Sequence, residues 1–109
     1  MIYLKIIRRN KMKKSKYNKF NTPLKILLLK NKGGKTCAKI IEKIIDRPYN
    51  INQLANELDI YYNTVHYHIQ IMLDNQLVEK KNDDYGSLYE ASPKLLNEID
   101  TFNEIKKKI

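Results

Sequence analysis

A few strong backbone breakers cut this chain into short helical pieces, and that punctuation limits its fold more than any other feature. Asn31-Lys32-Gly33-Gly34, Arg47-Pro48 and Ser92-Pro93 interrupt runs whose apolar residues recur at helical spacing. The pieces are short and carry apolar residues that need burial, so they must cover one another to fold. With 109 residues the chain holds one compact domain plus an arm. Two full domains, a barrel, or a doubly wound sheet with a second domain are excluded.

Thr22-Pro23 reads as a cap followed by proline at the first helical position, and predicts a helix from Leu24 to Lys30. Its run Ile26-Leu27-Leu28-Leu29 is the most hydrophobic stretch of the chain and demands burial. Thr36 is expected to cap a second helix over residues 37–47, with Cys37, Ile40, Ile41, Ile44 and Ile45 along one side. After a short extended link, Asn52 is expected to cap a third helix over 53–58 that buries Leu54, Ala55 and Leu58. A turn at Asp59-Ile60 leads to a fourth helix from Tyr62 to Asn75, with Val65, Ile69 and Met72 facing inward. Residues 77–81 and 87–91, joined by a polar turn, read as a β-hairpin. Ser92-Pro93 repeats the cap-plus-proline start. The last helix carries Leu95, Leu96, Ile99, Phe102 and Ile105 as its stripe and ends in Lys106-Lys107-Lys108, where cations complement the helix dipole.

Charge divides the chain in two. Residues 1–36 hold 12 of the 21 basic side chains and no acid, although the whole chain has a net charge of only +9. All 12 acidic side chains lie in the remaining body, which is therefore slightly acidic. A basic arm (residues 1–21) beside a near-neutral domain (residues 22–109) points to a polyanionic partner.

Several chemistries fall away. A single Cys excludes a disulfide framework and a Cys-rich zinc module. Gly33-Gly34-Lys35-Thr36 is similar to the end of a phosphate-binding loop, but the motif's first glycine would fall at Leu29, so a nucleotide hydrolase is rejected. His66 and His68 project about 200° apart on a helix and cannot chelate one ion together. His68 is expected as a packed histidine and Cys37 as a small buried hydrophobe. No nucleophile–base pair or paired carboxylates stand out, so neither an enzyme nor a cofactor is expected. No apolar stretch approaches the roughly 20 residues of a membrane span. A soluble, cytoplasmic protein is expected.

The order helix, turn, helix, hairpin, helix gives the remaining constraint. The stretch 36–92 resembles the winged helix-turn-helix domain of ArsR-like transcription regulators, especially those of archaea. The most specific part of the resemblance is Tyr62-Asn63-Thr64-Val65-His66-Tyr67-His68-Ile69, followed by Asn75-Gln76-Leu77-Val78 into the wing. Two positions depart from the family's usual glycines: Asp59 in the turn between the helices and Gln76 after the second helix. Asp tolerates the left-handed conformation better than most residues. The second helix also lacks any Lys or Arg, where family members commonly place one at position 66.

The resemblance implies a mainly helical fold with a small hairpin and extra helices at both ends. It also implies double-stranded DNA as partner, with helix 62–75 lying in the major groove. Asn63, His66, Tyr67 and Gln70 then share the face opposite Val65, Ile69 and Met72. Asn63 and Gln70 suit bidentate contact with adenine, while Thr64 suits a thymine methyl or a phosphate. Tyr62, His66 and Tyr67 are further candidates for contact with bases or phosphates. Gln53 and the hairpin's Lys80 and Lys81 are candidates for phosphate, although Asp83 and Asp84 at the hairpin tip oppose it. A homodimer through 24–29 and 93–105 is expected. Two alternatives stay open: a protein-interaction winged helix, favoured by the acidic body, and RNA binding through arm and wing.

Overall fold

The computed structural model describes residues 23–30, 32–81 and 86–109. The basic arm, the proposed cap at Thr22 and the hairpin tip with Asp83 and Asp84 lie outside the described residues. Among those described there are six helices and one two-stranded antiparallel sheet.

Helix α1 (Pro23–Lys25) continues as a π-helical turn (Ile26–Lys30). It buries Leu24, Leu27 and Leu28 and leaves Ile26 and Leu29 exposed. Helix α2 (Gly34–Asp46) then crosses it at very short range. A Cβ at position 34 would collide with the backbone carbonyl of Leu28, so glycine is required there. This close crossing also overturns the expected cap at Thr36. The helix begins at Gly34 with Gly33 as cap residue and no side-chain cap, leaving Thr36 inside the first turn. Cys37, Ala38, Ile40, Ile41 and Ile44 of α2 form the centre of the core.

The link after Pro48 is pinned before the next helix starts. Tyr49 and Tyr89 exchange backbone hydrogen bonds of 3.0 and 2.8 Å, which lays the link alongside the hairpin. Extended backbone therefore persists through Asn50, and α3 (Ile51–Leu58) starts one residue later. The cap is Asn50 rather than the expected Asn52. Its Oδ1 accepts from the Gln53 N–H at 2.8 Å, and Gln53 Oε1 accepts from the Asn50 N–H at 2.9 Å.

Asp59 adopts the left-handed conformation (φ 56°, ψ 50°) that the turn demands, and Ile60 N–H closes the helix end on Ala55 O at 3.0 Å. Helix α4 (Tyr62–Asp74) follows, and Val65, Ile69 and Met72 are all fully buried, as the spacing predicts. At its far end Gln76 is also left-handed (φ 62°). Leu77 N–H reaches Met72 O at 2.8 Å and Gln76 N–H reaches Leu73 O at 3.0 Å, the paired bonds of a Schellman stop.

Strands β1 (Val78–Lys80) and β2 (Tyr89–Ala91) pair antiparallel, Val78 opposite Ala91 and Lys80 opposite Tyr89. Ser92 then ties three elements together. Its Oγ donates to Gln76 O at 2.7 Å and accepts from Leu95 N–H at 3.1 Å, so it caps α5 (Pro93–Leu96) while holding the end of α4. The single terminal helix expected from the apolar stripe is broken at Asn97-Glu98, and α6 (Ile99–Lys106) completes the chain. Leu95, Phe102 and Ile105 are buried within the domain, Ile99 is half-buried, and Leu96 is exposed.

A left-handed conformation costs an L-residue with a side chain about 1–2 kcal/mol, partly offset in glycine by lost chain entropy. Gln76→Gly is therefore expected to stabilise the domain by about 0.5–1 kcal/mol. Thermal melts of the two proteins at one pH check this, and a lower melting temperature for the glycine variant contradicts it.

Candidate nucleic-acid interface

The buried stripe of α4 sets the direction of every other side chain on that helix. Asn63, His66, Tyr67 and Gln70 are exposed side by side, and Thr64 is half-buried at the edge of this face. His68 points the other way and is buried, so the two histidines lie on opposite sides of α4. Their separation matches the angle expected from their spacing. None of the exposed residues is cationic, so the face offers hydrogen-bonding groups and aromatic rings.

A cleft of about 310 Å³ runs between the start of α4 and the hairpin. Tyr62 and His66 form one wall, with their rings stacked at 6.3 Å and 14° between planes. Lys80, Gly86 and Ser87 of the hairpin form the opposite wall, and Asn50 and Asn52 of the α3 start close one end. The fold thus brings Tyr62, His66 and Lys80 to one place from two separate elements. Asn63 and Gln70 lie outside this cleft on the outer face of α4, and Lys81 projects from the hairpin beyond it.

Gln53 is a different case. Its carboxamide oxygen is used in the capping box, so only its NH₂ group remains to donate elsewhere. The cap shift has the reverse effect on Asn52, whose exposed side chain lines the cleft. Neither Asn52 nor Tyr61 was singled out as a candidate from the sequence. Tyr61 is 85% exposed at the start of α4, the most exposed of the large apolar and aromatic side chains among the described residues. The adjacent Tyr61-Tyr62 pair at the start of the helix is the available signal.

Electrostatics separates the cations that are engaged from those that are not. Glu57 of α3 accepts from Lys43 Nζ at 3.1 Å, from Tyr49 Oη at 3.2 Å and from Arg47 Nη2 at 3.5 Å. The Arg47 guanidinium also lies 3.7 Å from the centre of the Tyr49 ring. The hydrogen bond with Lys43 holds the Glu57 carboxyl below its ordinary range and raises the lysine above its own. Lys106 pairs with Glu42 at 2.6 Å, joining α6 to α2. Among the described residues Lys80 and Lys81 take no ion pair, and both are exposed.

Helix α3, the Asp59 turn, helix α4 and the hairpin β1–β2 together make a winged helix-turn-helix. No family model and no curated protein matches the chain. Among solved structures the chain is similar to reduced HlyU from Vibrio cholerae N16961, with a TM-score of 0.65 at 13% identity over 86% of this chain and 97% of that one. A second structure of HlyU from the same organism gives a TM-score of 0.62 at 14% identity, with the same coverage. At these identities the likeness is one of fold. No helix among the described residues is long and apolar enough to cross a membrane.

Burial lowers the His68 pKa from its ordinary value of 6.5, because the charged imidazolium is desolvated there. The unfolded chain then binds a proton more readily than the folded one. The contribution of His68 to stability is present above pH 6.5 and is lost as the pH falls below it. Urea titrations between neutral and mildly acidic pH are expected to show that slope, and His68→Phe is expected to flatten it. An identical slope in the variant contradicts the assignment to His68.

Proposed function

We propose that the protein is a DNA-binding transcription regulator that reads the major groove with the exposed face of α4. The observation that carries this reading is the side-by-side exposure of Asn63, His66, Tyr67 and Gln70 on a helix clamped from behind, with Lys80 of the wing across a cleft. Base contacts fall to Asn63 and Gln70, whose carboxamides match the donor–acceptor pattern of adenine. Tyr62, Thr64, His66 and Tyr67 supply further contacts to bases and phosphates. Lys80 and Lys81 meet the phosphate backbone, and Gln53 donates its NH₂ to a phosphate at the margin. The basic arm supplies the sequence-independent attraction that α4 lacks, each neutralised phosphate adding about 0.9 to the log–log salt slope. Similarity of fold to HlyU supports the class of protein, and the contacts rest on the side chains themselves.

The cation-free α4 also favours a second reading, a winged helix that binds another protein. Selection of bound sites from random duplexes separates the two. A sequence preference is expected, and an unselective pool contradicts DNA readout. The double variant Asn63→Ala plus Gln70→Ala is expected to relax that preference, weakening binding to the selected duplex by about tenfold or more while leaving non-specific binding nearly unchanged. A preserved sequence preference contradicts the roles given to these two residues.

A short recognition helix without cations binds weakly alone, and two copies on half-sites about 34–36 Å apart remedy that. We therefore propose a homodimer through residues 24–29 and 93–105. Because Leu95, Phe102 and Ile105 are used inside the domain, the apolar surface these segments retain is at Ile26, Leu29 and Leu96. Sedimentation equilibrium at micromolar concentration is expected to give twice the mass of the chain, and a monomer there contradicts the dimer.

A further inference from the structure

A second cavity, of about 380 Å³, lies between α4 and the α1–α2 turn. Its size falls within the range of small-molecule sites. Leu27, Cys37 and Ile71 give it an apolar lining, and Thr64, Tyr67 and His68 add hydrogen-bonding groups. Lys32 is exposed at its rim and is the only charged residue of the described lining. Burial pushes the Cys37 thiol up to about 12, so it stays neutral.

His68 is the observation that points to a ligand. The residue is about nine-tenths buried, yet its ring nitrogens have no hydrogen-bond partner among the described residues. Buried polar groups are ordinarily paired. The ring meets the edge of Tyr67 at 5.4 Å between centroids. Its Cε1 and Nε2 lie so close to Gly33 that a Cβ there would come within 2.8 Å of Cε1. The glycine thus makes room for an imidazole that lines the cavity and bonds to none of the described residues. Burial keeps that imidazole uncharged near neutral pH, so one ring nitrogen donates while the other accepts.

These groups specify a class of molecule: an apolar body, an acceptor for the His68 N–H, and a negative charge for Lys32. We propose that the cavity binds a small amphipathic organic acid, its carboxylate between His68 and Lys32, and that occupancy weakens DNA binding. The second half rests on the DNA-regulator reading. Thr64 and Tyr67 belong both to this lining and to the groups proposed to meet DNA. A bound anion draws the Lys32 ammonium and the Tyr67 hydroxyl towards itself and places negative charge close to incoming phosphates. Coupling between the two sites is reciprocal, so DNA must weaken the acid as the acid weakens DNA.

The test uses benzoate as probe and benzyl alcohol as its uncharged counterpart, in NMR titrations of the full chain without DNA at constant ionic strength. Benzoate is expected to shift the signals of Gly33, Cys37 and the His68 ring saturably, with a dissociation constant on the order of 1 mM. His68→Phe, which removes both ring nitrogens, and Lys32→Gln, which alters only an exposed side chain, are each expected to weaken it about tenfold. Unmoved signals, or unchanged affinity in both variants, overturn the site. Equal affinity for benzyl alcohol overturns the choice of an acid. In a second arm, saturating benzoate is expected to weaken binding to the selected duplex at least threefold, and unchanged DNA affinity overturns the coupling. Failure to bind any duplex instead refutes the DNA reading, and the NMR arm still decides the site.

Discussion

The outward face of α4 owes its direction to three side chains that point the other way. Val65, Ile69 and Met72 are completely removed from solvent, and burying side chains of this size contributes roughly 1.5–3 kcal/mol each. Rotating the helix by one position would expel at least one of them and drive a carboxamide or an imidazole into the core. The rotation is therefore fixed, and with it the presentation of Asn63, His66, Tyr67 and Gln70. The same rotation sends His68 inward against Gly33, where its ring becomes part of a cavity wall instead of part of the exposed face.

The position of the wing relative to α4 depends on a second set of contacts, from backbone and side chains together. The left-handed Gln76 reverses the chain directly into buried Leu77, and Ser92 holds the carbonyl of Gln76 from the far side of the hairpin. Tyr49 bonds to Tyr89 and so fastens the start of the helix-turn-helix to the second wing strand. Glu57, held by Lys43, Arg47 and Tyr49, links α3 to α2 and the link after it from the solvent side. The cleft that places Lys80 opposite Tyr62 and His66 follows from these ties. Surface ion pairs like these are individually weak. Their use here is geometric, since they tie α3 to α2 and to the link after it.

Much of this was legible in the chain before folding. The apolar spacing identified α2, α3 and α4, and two short runs joined by a polar turn identified the hairpin. The opposite settings of His66 and His68 followed from helical geometry alone. Helix starts were less legible, for a physical reason. Asn50 and Asn52 are equally good caps in isolation, and the Tyr49–Tyr89 bridge decided between them by keeping the backbone extended through Asn50. Thr36 lost its capping role because α1 and α2 approach so closely that the helix had to begin at a glycine. The terminal stripe was identified correctly as apolar, but spacing does not distinguish a neighbour in the same chain from one in another, and only the fold shows Leu95, Phe102 and Ile105 buried within their own domain. For the candidate site, the members of the α4 face were readable from the sequence. The part played by Asn52, and the separation of Lys80 from Lys81 by the cleft, were not.

The sequence by itself determined which faces of the helices are apolar, where the two left-handed turns fall and how charge is divided along the chain. The faces and the charge are local properties, set by side-chain spacing and composition, and the two turns followed from the family resemblance. Only the tertiary structure decided which asparagine caps α3, where the terminal helix breaks, and that Lys80 stands across a cleft from the Tyr62–His66 stack. It also decided that His68 is left facing a cavity beside Lys32. Each of these depends on distances between residues far apart in the chain, and such distances exist only once the buried stripes have packed.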